Sequence, residues 1–319
     1  MDEGLRGPHL ESPPILINTP APFDYTYCPR YRLSLFLFAL TLLSTLLVGT
    51  ELAISYRVNA PIADSLALYI SLWKHPAALA EGIPFAFTVL GILLAHEMGH
   101  YLACRYYRIH ATLPYFIPFP NLIGTMGAFI RIRSPFQDRK ALFDVGIAGP
   151  LAGFIIALPA LFFSLPLSKM NPMRPGFTYF LFGESLAFKL VARSQGLHFP
   201  PGMDINYHPV AMAALVGLFA TAINLLPVGQ LDGGHIVYSL FGWYHRWVSR
   251  VFVFIVVPVL MVFWIWWAIW ALIPLVLGIN HPRTLDDAMP LDTPRKRFAL
   301  LAVLMFVLSF SPNPIRIFP

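Results

Sequence analysis

Long apolar runs, separated by short charged and proline-rich stretches, organise this chain. A helix needs about 20 consecutive apolar residues to cross the hydrocarbon core of a bilayer. The pattern therefore predicts an all-α fold, a polytopic transmembrane helical bundle with about six membrane helices. The predicted helices cover about 33–54, 82–106, 141–165, 209–226, 251–279 and 298–310.

The apolar pattern leaves the C-terminal part open. The run 251–279 follows a piece at 236–247 that reads as interfacial, and it is too short for two full spans. It is either one tilted helix or a helix with half a turn back. A single crossing would place the basic loop at 295–297 outside, against the positive-inside trend. The topology after residue 250 therefore stays open at this stage.

The apolar stretch 111–135 does not fit a membrane helix, because prolines and glycines interrupt it. Its second half alternates in part, as a short strand or hairpin does. Non-helical backbone at membrane depth persists only where protein buries it or where it lines a cavity. We interpret the stretch as a re-entrant or hairpin segment, with an amphipathic surface loop as the alternative.

Composition supports a membrane protein. Hydrophobic residues make up 57% of the 319 residues and charged residues 12%, against about 25% charged in typical globular domains. The net charge is +6, but the positive residues cluster between the apolar runs. They are typical of orientation signals and headgroup contacts, so we expect a lipid bilayer as partner and no nucleic acid. The two cysteines, Cys28 and Cys104, do not indicate a disulfide framework.

One predicted membrane helix carries His96, Glu97 and His100. Each charged residue at a helix centre in lipid costs about 2.5–3.5 kcal/mol on insertion scales, so such residues face a protein interior or a cavity. The two histidines lie four residues apart, and both imidazoles project from one helix face. This arrangement predicts two zinc ligands with Glu97 beside them as general base. Charge counting places the site toward the cytoplasmic side.

A catalytic zinc ion takes three protein ligands and keeps one open position. The candidates for the third ligand are Asp232, His235, His208 and Cys104. Asp232 is favoured because the two glycines after it give the backbone freedom to turn toward a neighbouring helix. The alternative for Asp-Gly-Gly is an ordinary turn at a helix end.

These motifs together resemble the site-2 protease family of intramembrane zinc metalloproteases. The His-Glu-x-x-His motif is followed, two helices later, by Asn224-x-x-Pro-x-x-x-Leu-Asp232-Gly. The Gly124-Thr125-Met-Gly127 stretch and the segment 144–153 further resemble the plant-plastid and bacterial branch. The resemblance covers about 91–235. It implies a three-helix catalytic core with Zn²⁺ on His96, His100 and Asp232, and with Glu97 as base.

The resemblance also implies a substrate and a location. The substrate is a single-pass membrane protein, cleaved in or near its transmembrane segment during regulated intramembrane proteolysis. Asn224 is implied to orient or bind the substrate backbone, and we expect Gly124, Thr125 and Gly127 to offer an edge strand to it. The expected location is the bacterial inner membrane, and no oligomeric state is indicated.

The chain is expected to divide into four parts: a flexible Pro-rich leader at 1–29, a first membrane helix and outer loop at 30–80, the catalytic core at 81–235, and C-terminal membrane segments at 236–319. No stretch of this sequence is long enough for the PDZ domain of many family members, so substrate selection by such a module is not expected. The alternative function is a membrane metal transporter or carrier that uses the same ligands. Transporters usually show internal repeats, and none is found here.

Overall fold

The structure of the chain is a computed structural model that describes residues 31–59, 65–172, 179–200 and 203–318. The leader predicted at 1–29 lies outside the described residues, as does Cys28. The helices in the described ranges are α1 (Tyr31–Val58), α2 (Ser65–Lys74), α3 (Ile83–Tyr106), α4 (Arg139–Ser164), α5 (Leu186–Ser194), α6 (Pro209–Asn224), α7 (Asp232–Phe241), α8 (His245–Val251), α9 (Val257–Met261), α10 (Trp267–Leu277) and α11 (Thr293–Ser309). The strands are β1 (Tyr115–Pro118), β2 (Thr125–Phe129), β3 (Lys169–Pro172), β4 (Tyr179–Phe182), β5 (Met203–Asn206) and β6 (Ile315–Phe318).

Within the described ranges, four helical stretches are by length and composition apolar enough to cross a membrane: Tyr31–Val58, Pro76–Tyr106, Arg139–Leu167 and Asp232–Met261. The last of these is interrupted by a turn at Gly242. Two shorter apolar helices cover Pro209–Asn224 and Trp267–Val276. The predicted helical membrane fold is therefore confirmed. A full set of six spans and a re-entrant segment stay predictions.

Helices α3, α4 and α6 pack against one another through small residues. A Cβ atom on Gly99 of α3 would lie 2.4 Å from the Ala148 carbonyl oxygen of α4. A Cβ atom on Gly217 of α6 would lie 2.8 Å from side-chain carbons of Ile92 on α3. Glycine at these positions lets the backbones approach more closely than any other residue would allow.

The segment 111–135 contains an antiparallel hairpin of β1 and β2, in which Tyr115 pairs with Phe129. The connecting turn includes Gly124, whose φ of 81° is in the left-handed region that favours glycine. The Ser44 hydroxyl of α1 donates a hydrogen bond to the Gly124 carbonyl oxygen at 2.6 Å. The hairpin that the alternation predicts is therefore present, and α1 fixes its turn.

The C-terminal part differs from the prediction. Helix α7 begins at Asp232 and continues to Phe241, so the first part of the predicted interfacial piece at 236–247 is helical, and its interfacial position stays a prediction. The run 251–279 is not one tilted helix, because the α-helix stops at Met261 and α10 begins at Trp267. The Trp267 indole is buried there and donates to the Pro312 carbonyl oxygen at 2.7 Å. This contact, between residues 45 positions apart in sequence, fixes the break and is invisible in the apolar pattern.

The outer loop expected around 169–207 contains short elements. Strands β3 and β5 pair antiparallel, with Lys169 opposite Asn206. Helix α5 buries Phe188 and Val191 against the ends of α4 and α6. The segment therefore folds back onto the end of the bundle formed by the C-terminus of α4 and the N-terminus of α6.

Candidate metal centre

Helix α3 brings His96 and His100 together inside the protein. Both side chains are buried, with 5% and 6% of their surface exposed. Their Nε2 atoms are 3.2 Å apart, which is the consequence of a four-residue spacing on a helix. The predicted common face of the two imidazoles is therefore present.

Helix α4 leaves room for these imidazoles with glycines. A Cβ atom on Gly149 would lie 2.1 Å from His100 Nε2, and one on Gly153 would lie 3.3 Å from His96 Cβ. The two glycines are four residues apart and therefore lie on one face of α4, and this face packs on the histidine pair.

The backbone of α4 also fixes the orientation of one ring. His100 Nδ1 is 2.7 Å from the Val145 carbonyl oxygen. Because a carbonyl can only accept, Nδ1 carries the proton and the lone pair of Nε2 points toward the site.

Asp232 completes the group. Its Oδ2 lies 3.2 Å from His96 Nε2, and its Oδ1 lies 3.3 Å from His100 Nε2. One ligand atom from each of the three residues lies within 4.8 Å of the others. Asp232 Oδ2 is buried and has no hydrogen-bond partner. A buried carboxylate oxygen without a donor, facing two imidazole nitrogens, fits the donor set of a zinc ion.

The path of the chain into Asp232 follows from two local signals. Helix α6 ends at Asn224, three residues before Pro227, which lacks the backbone N–H that a helix needs. Helix α7 then starts at Asp232, where a carboxylate is favourable in the first turn.

The reason given for the two glycines was wrong. They are helical, and their freedom to turn is not used, since neither has a positive φ. A Cβ atom on Gly233 would lie 2.1 Å from the Leu225 carbonyl oxygen, and one on Gly234 would lie 2.4 Å from that of Gly229. The glycines let α7 pack tightly on the preceding loop.

The other candidates for the third ligand do not join this group. His208 caps the N-terminus of α6, at the end opposite Asn224. His235 Nδ1 is 2.6 Å from His281 Nε2. Cys104 is buried in an apolar cluster with Ile109, Ala141 and Val145. Among the described residues, the group that could hold a metal ion is His96, His100 and Asp232.

Glu97 faces a cavity next to the histidines. The cavity has a volume of about 280 Å³ and is lined by His96, Glu97, the β2 residues 125–128 and part of α6. Glu97 is buried, and the backbone N–H of Ile130, just beyond β2, lies near its carboxylate. The cavity therefore joins the metal centre, a carboxylate and the hairpin.

The predicted substrate-binding residues separate into two places. Asn224 lines this cavity, and its Nδ2 is 3.2 Å from His96 Nε2. Thr125 and Gly127 also line it; Thr125 is buried, and nothing lies within 4 Å of a Cβ atom placed on Gly127. Gly124 lies instead against α1, at a neighbouring cavity of about 560 Å³.

Two contacts of the site were not found from the sequence. The Val145 carbonyl and the Ile130 N–H are backbone groups, and no side-chain motif reports them. The only related signal in the sequence is the four-residue spacing of Gly149 and Gly153. It indicates that another helix packs closely on α4, but not which one.

Fold and site together describe a helical protein with apolar helices long enough to cross a membrane and a buried group of two histidines and one aspartate that could hold a metal ion beside a cavity. The sequence model of peptidase family M50 matches residues 84–266, more than half of the chain. The chain belongs to this family, and the predicted resemblance to the site-2 protease family is confirmed.

The chain is similar to plant proteins described as zinc metalloproteases. It is 33% identical over 231 residues to the probable zinc metalloprotease EGY1, chloroplastic, of Oryza sativa subsp. japonica, covering 67% of this chain and 38% of that protein. Identity to the Arabidopsis thaliana EGY1 protein is 33% over 233 residues, covering 67% and 40%. The probable zinc metalloprotease EGY2, chloroplastic, of Arabidopsis thaliana is 32% identical over 185 residues, covering 58% and 33%. The chain thus spans about two fifths of the length of the curated EGY1 relatives.

Proposed function

We propose that this protein is an intramembrane zinc metalloprotease. The observation that carries the proposal is the convergence of His96, His100 and Asp232 inside a membrane helix bundle, beside a cavity that Glu97 also lines. Family M50 membership and the zinc metalloprotease relatives support it.

The metal ligands are proposed to be His96 Nε2, His100 Nε2 and a carboxylate oxygen of Asp232. Two neutral imidazoles and one carboxylate are a common catalytic zinc set. Bound zinc supplies a Lewis acid that polarises the scissile carbonyl and activates water for attack. Val145 would hold His100 in the tautomer that leaves Nε2 as the ligand.

Glu97 is proposed as the general base. It lies next to His96 in sequence and is not part of the ligand group, so its carboxylate can take the proton from the attacking water. The same carboxyl can then give a proton to the leaving amine. The nearby Ile130 N–H would orient this carboxylate from the hairpin side.

The substrate is proposed to be a single-pass membrane protein that enters the cavity in an extended form. A helical substrate has its carbonyls bonded internally, so the cleavage region must unwind before attack. Among the described strands β2 pairs only with β1, so it can add an extended peptide along its other edge. Thr125 and Gly127 would contribute backbone groups there, and the Asn224 amide would donate to a substrate carbonyl. Gly124 would shape the turn.

The wider assignments are proposals of the same kind. The core at 81–235 would carry catalysis, flanked by the membrane segments at 30–80 and 236–319, with the leader at 1–29. The proposed location is the bacterial inner membrane, with the site toward the cytoplasmic side. Arg105 and Arg108 at the end of α3 support this orientation by charge.

Reconstitution with a substrate tests the proposal. The full chain is placed in liposomes with candidate single-pass membrane proteins, and mass spectrometry locates any cut. We expect cleavage in or near the transmembrane segment, loss of cleavage with a zinc chelator, and recovery when zinc is added back. Cleavage that persists after zinc has been removed would contradict the proposal.

A further inference from the structure

The chain turns sharply between α7 and α8. Gly242 has a φ of 56°, so α8 does not continue the helix that begins at Asp232. Trp243 and Trp247 are each 51% exposed at this turn. Arg246 and Arg250 are exposed on α8 beside them. These four side chains are named the arginine–tryptophan corner.

The arginines of this corner pack on aromatic rings. The Arg246 guanidinium carbon is 4.4 Å from the centre of the Trp243 ring, and that of Arg250 is 5.2 Å from the Trp247 ring. Neither arginine takes part in an ion pair with another described residue. Cation–π packing orders a guanidinium group through its face. The N–H groups, which lie in the guanidinium plane, remain available as hydrogen-bond donors. The corner therefore presents two ordered positive charges without a described acidic partner.

The residues after the corner show where it meets the membrane. Exposed apolar side chains follow directly, among them Phe254, Ile255 and Val259. Arginines are costly in hydrocarbon, whereas tryptophan and arginine are enriched at the interface. This composition fits a position at headgroup depth, where the apolar surface beside the corner would face the acyl chains.

We propose that the arginine–tryptophan corner binds the headgroup phosphate of an anionic phospholipid. The planar guanidinium fork matches two phosphate oxygens, the indoles pack on the glycerol region, and the apolar strip accommodates the acyl chains. Zwitterionic lipids carry a compensating cation, so the net charge of the corner favours an anionic headgroup. Each arginine near an anionic surface contributes about a fivefold gain in affinity, or about 25-fold for the two.

The corner is also connected to the loop that carries Asp232. The Ser249 hydroxyl, one residue before Arg250, donates to the Pro227 carbonyl oxygen at 3.3 Å. Pro227 lies between Asn224 at the end of α6 and Asp232 at the start of α7. A lipid seated on α8 would therefore steady the support of this loop.

Lipid titration of the purified full chain in detergent, followed by native mass spectrometry, tests the proposal without any protease assay. We expect phosphatidylglycerol to bind more tightly than phosphatidylcholine. The double variant Arg246→Gln/Arg250→Gln should lower the phosphatidylglycerol affinity about 25-fold and leave the phosphatidylcholine affinity unchanged. Arg193→Gln, which changes an exposed arginine on α5, is the matched control and should behave as wild type.

Several results would overturn the proposal. These are equal affinity of wild type and double variant for phosphatidylglycerol, equal affinity of wild type for the two lipids, or full displacement of the lipid by millimolar inorganic phosphate, which would assign the corner to a free anion. If the double variant does not fold, the single variants replace it, and each should lose about fivefold. Because lipid binding is measured directly, failure here is distinct from failure of the protease proposal.

Discussion

His100 shows how much of the site depends on single contacts. Its Nδ1 donates to the Val145 carbonyl oxygen, its Nε2 faces Asp232, and Gly149 lies against its ring. Two of these contacts come from α4 and one from the start of α7, and each constrains a different property: tautomer, ligand partner and ring position. A buried histidine held in this way is preorganised for a metal ion, because little reorganisation remains for binding.

Asp232→Asn is expected to weaken zinc binding. The neutral amide is a poorer ligand than the carboxylate and compensates no metal charge. Loss of an outer partner of a metal ligand costs about 10–100-fold in affinity, so change of a ligand should exceed about 100-fold. Competition with a zinc chelator measures it. The control Asp286→Asn changes an exposed aspartate and should not alter the zinc affinity. Unchanged zinc affinity in Asp232→Asn would show that Asp232 is not a ligand.

Gly149→Ala is expected to displace the His100 ring. The new Cβ atom would lie 2.1–2.5 Å from three ring atoms, and the ring cannot move away without losing its bond to Val145. We expect zinc affinity and cleavage to fall together by at least about tenfold. Gly91→Ala is the matched control on α3, since nothing lies within 4 Å of its Cβ position. Equal zinc affinity in the two variants would show that α4 leaves room for a Cβ atom at position 149 beside the His100 ring.

At the scale of elements, the hairpin β1–β2 joins three parts of the molecule. Ser44 of α1 fixes its turn, β2 lines the cavity, and the Ile130 N–H lies near Glu97. The hairpin thus links the proposed substrate edge to the proposed base. Its existence could be predicted from alternation and glycines, but its register and its contact with Glu97 could not, because both depend on partners far away in sequence.

Ala128→Pro tests whether β2 pairs with an extended substrate. Proline removes a backbone donor and disturbs a ladder, so we expect cleavage to fall by at least about tenfold while zinc occupancy is retained. Ala128→Val keeps the N–H and suits a strand, and it should cleave nearly as wild type. Ile130→Pro is less informative, because it would also remove the backbone N–H that lies near Glu97. Normal cleavage by Ala128→Pro at normal expression would restore the surface-loop interpretation.

At the scale of the whole molecule, a polar cluster near the membrane surface ties the core to the C-terminal helix. Asp144 of α4 accepts hydrogen bonds from Arg295 of α11, at 2.8 Å from Nε and 2.7 Å from Nη2. It also accepts one from the Tyr107 hydroxyl just after α3. Burial, together with Asp144, raises the pKa of Tyr107 to about 12, so this hydroxyl stays a donor throughout the physiological range. The cluster thus connects Asp144 to Arg295 on α11 and to Tyr107 just after α3.

Arg295→Leu is expected to destabilise the molecule. The change leaves Asp144 partly buried without its charged donors, and a hydrogen bond to a charged group contributes about 1.5–3 kcal/mol. For a chain of this size we expect the apparent melting temperature in detergent to fall by several degrees. The exposed Arg297 provides the control Arg297→Leu, which should melt as wild type. If Arg295→Leu melts at the same temperature as wild type and Arg297→Leu, the cluster adds no stability.

Much of the fold and of the site could be predicted from local pattern. Apolar run length indicated the helices, and a four-residue spacing placed His96 and His100 on one face. What could not be predicted depends on contacts between distant segments. Trp267, just after the break in the C-terminal run, bonds to the Pro312 carbonyl oxygen. The first glycine after Asp232 packs on the Leu225 carbonyl oxygen. His235 forms a hydrogen bond with His281. Burial lowers the pKa of His281 to about 4, so its ring is neutral and accepts from His235 while donating to Pro282.

The central claim is that Glu97 acts as the base at a zinc ion that other residues hold. Zinc content and cleavage rate, measured on the same purified samples of wild type, Glu97→Gln and the exposed control Glu184→Gln, test it most directly. Glutamine keeps the shape of the side chain but cannot accept the proton, and loss of a general base costs about 10²–10⁴-fold. We expect Glu97→Gln to retain zinc at the wild-type level and to lose at least about 100-fold in cleavage rate, while Glu184→Gln matches wild type in both. Full cleavage by Glu97→Gln, or loss of its zinc together with its activity, would contradict the assignment.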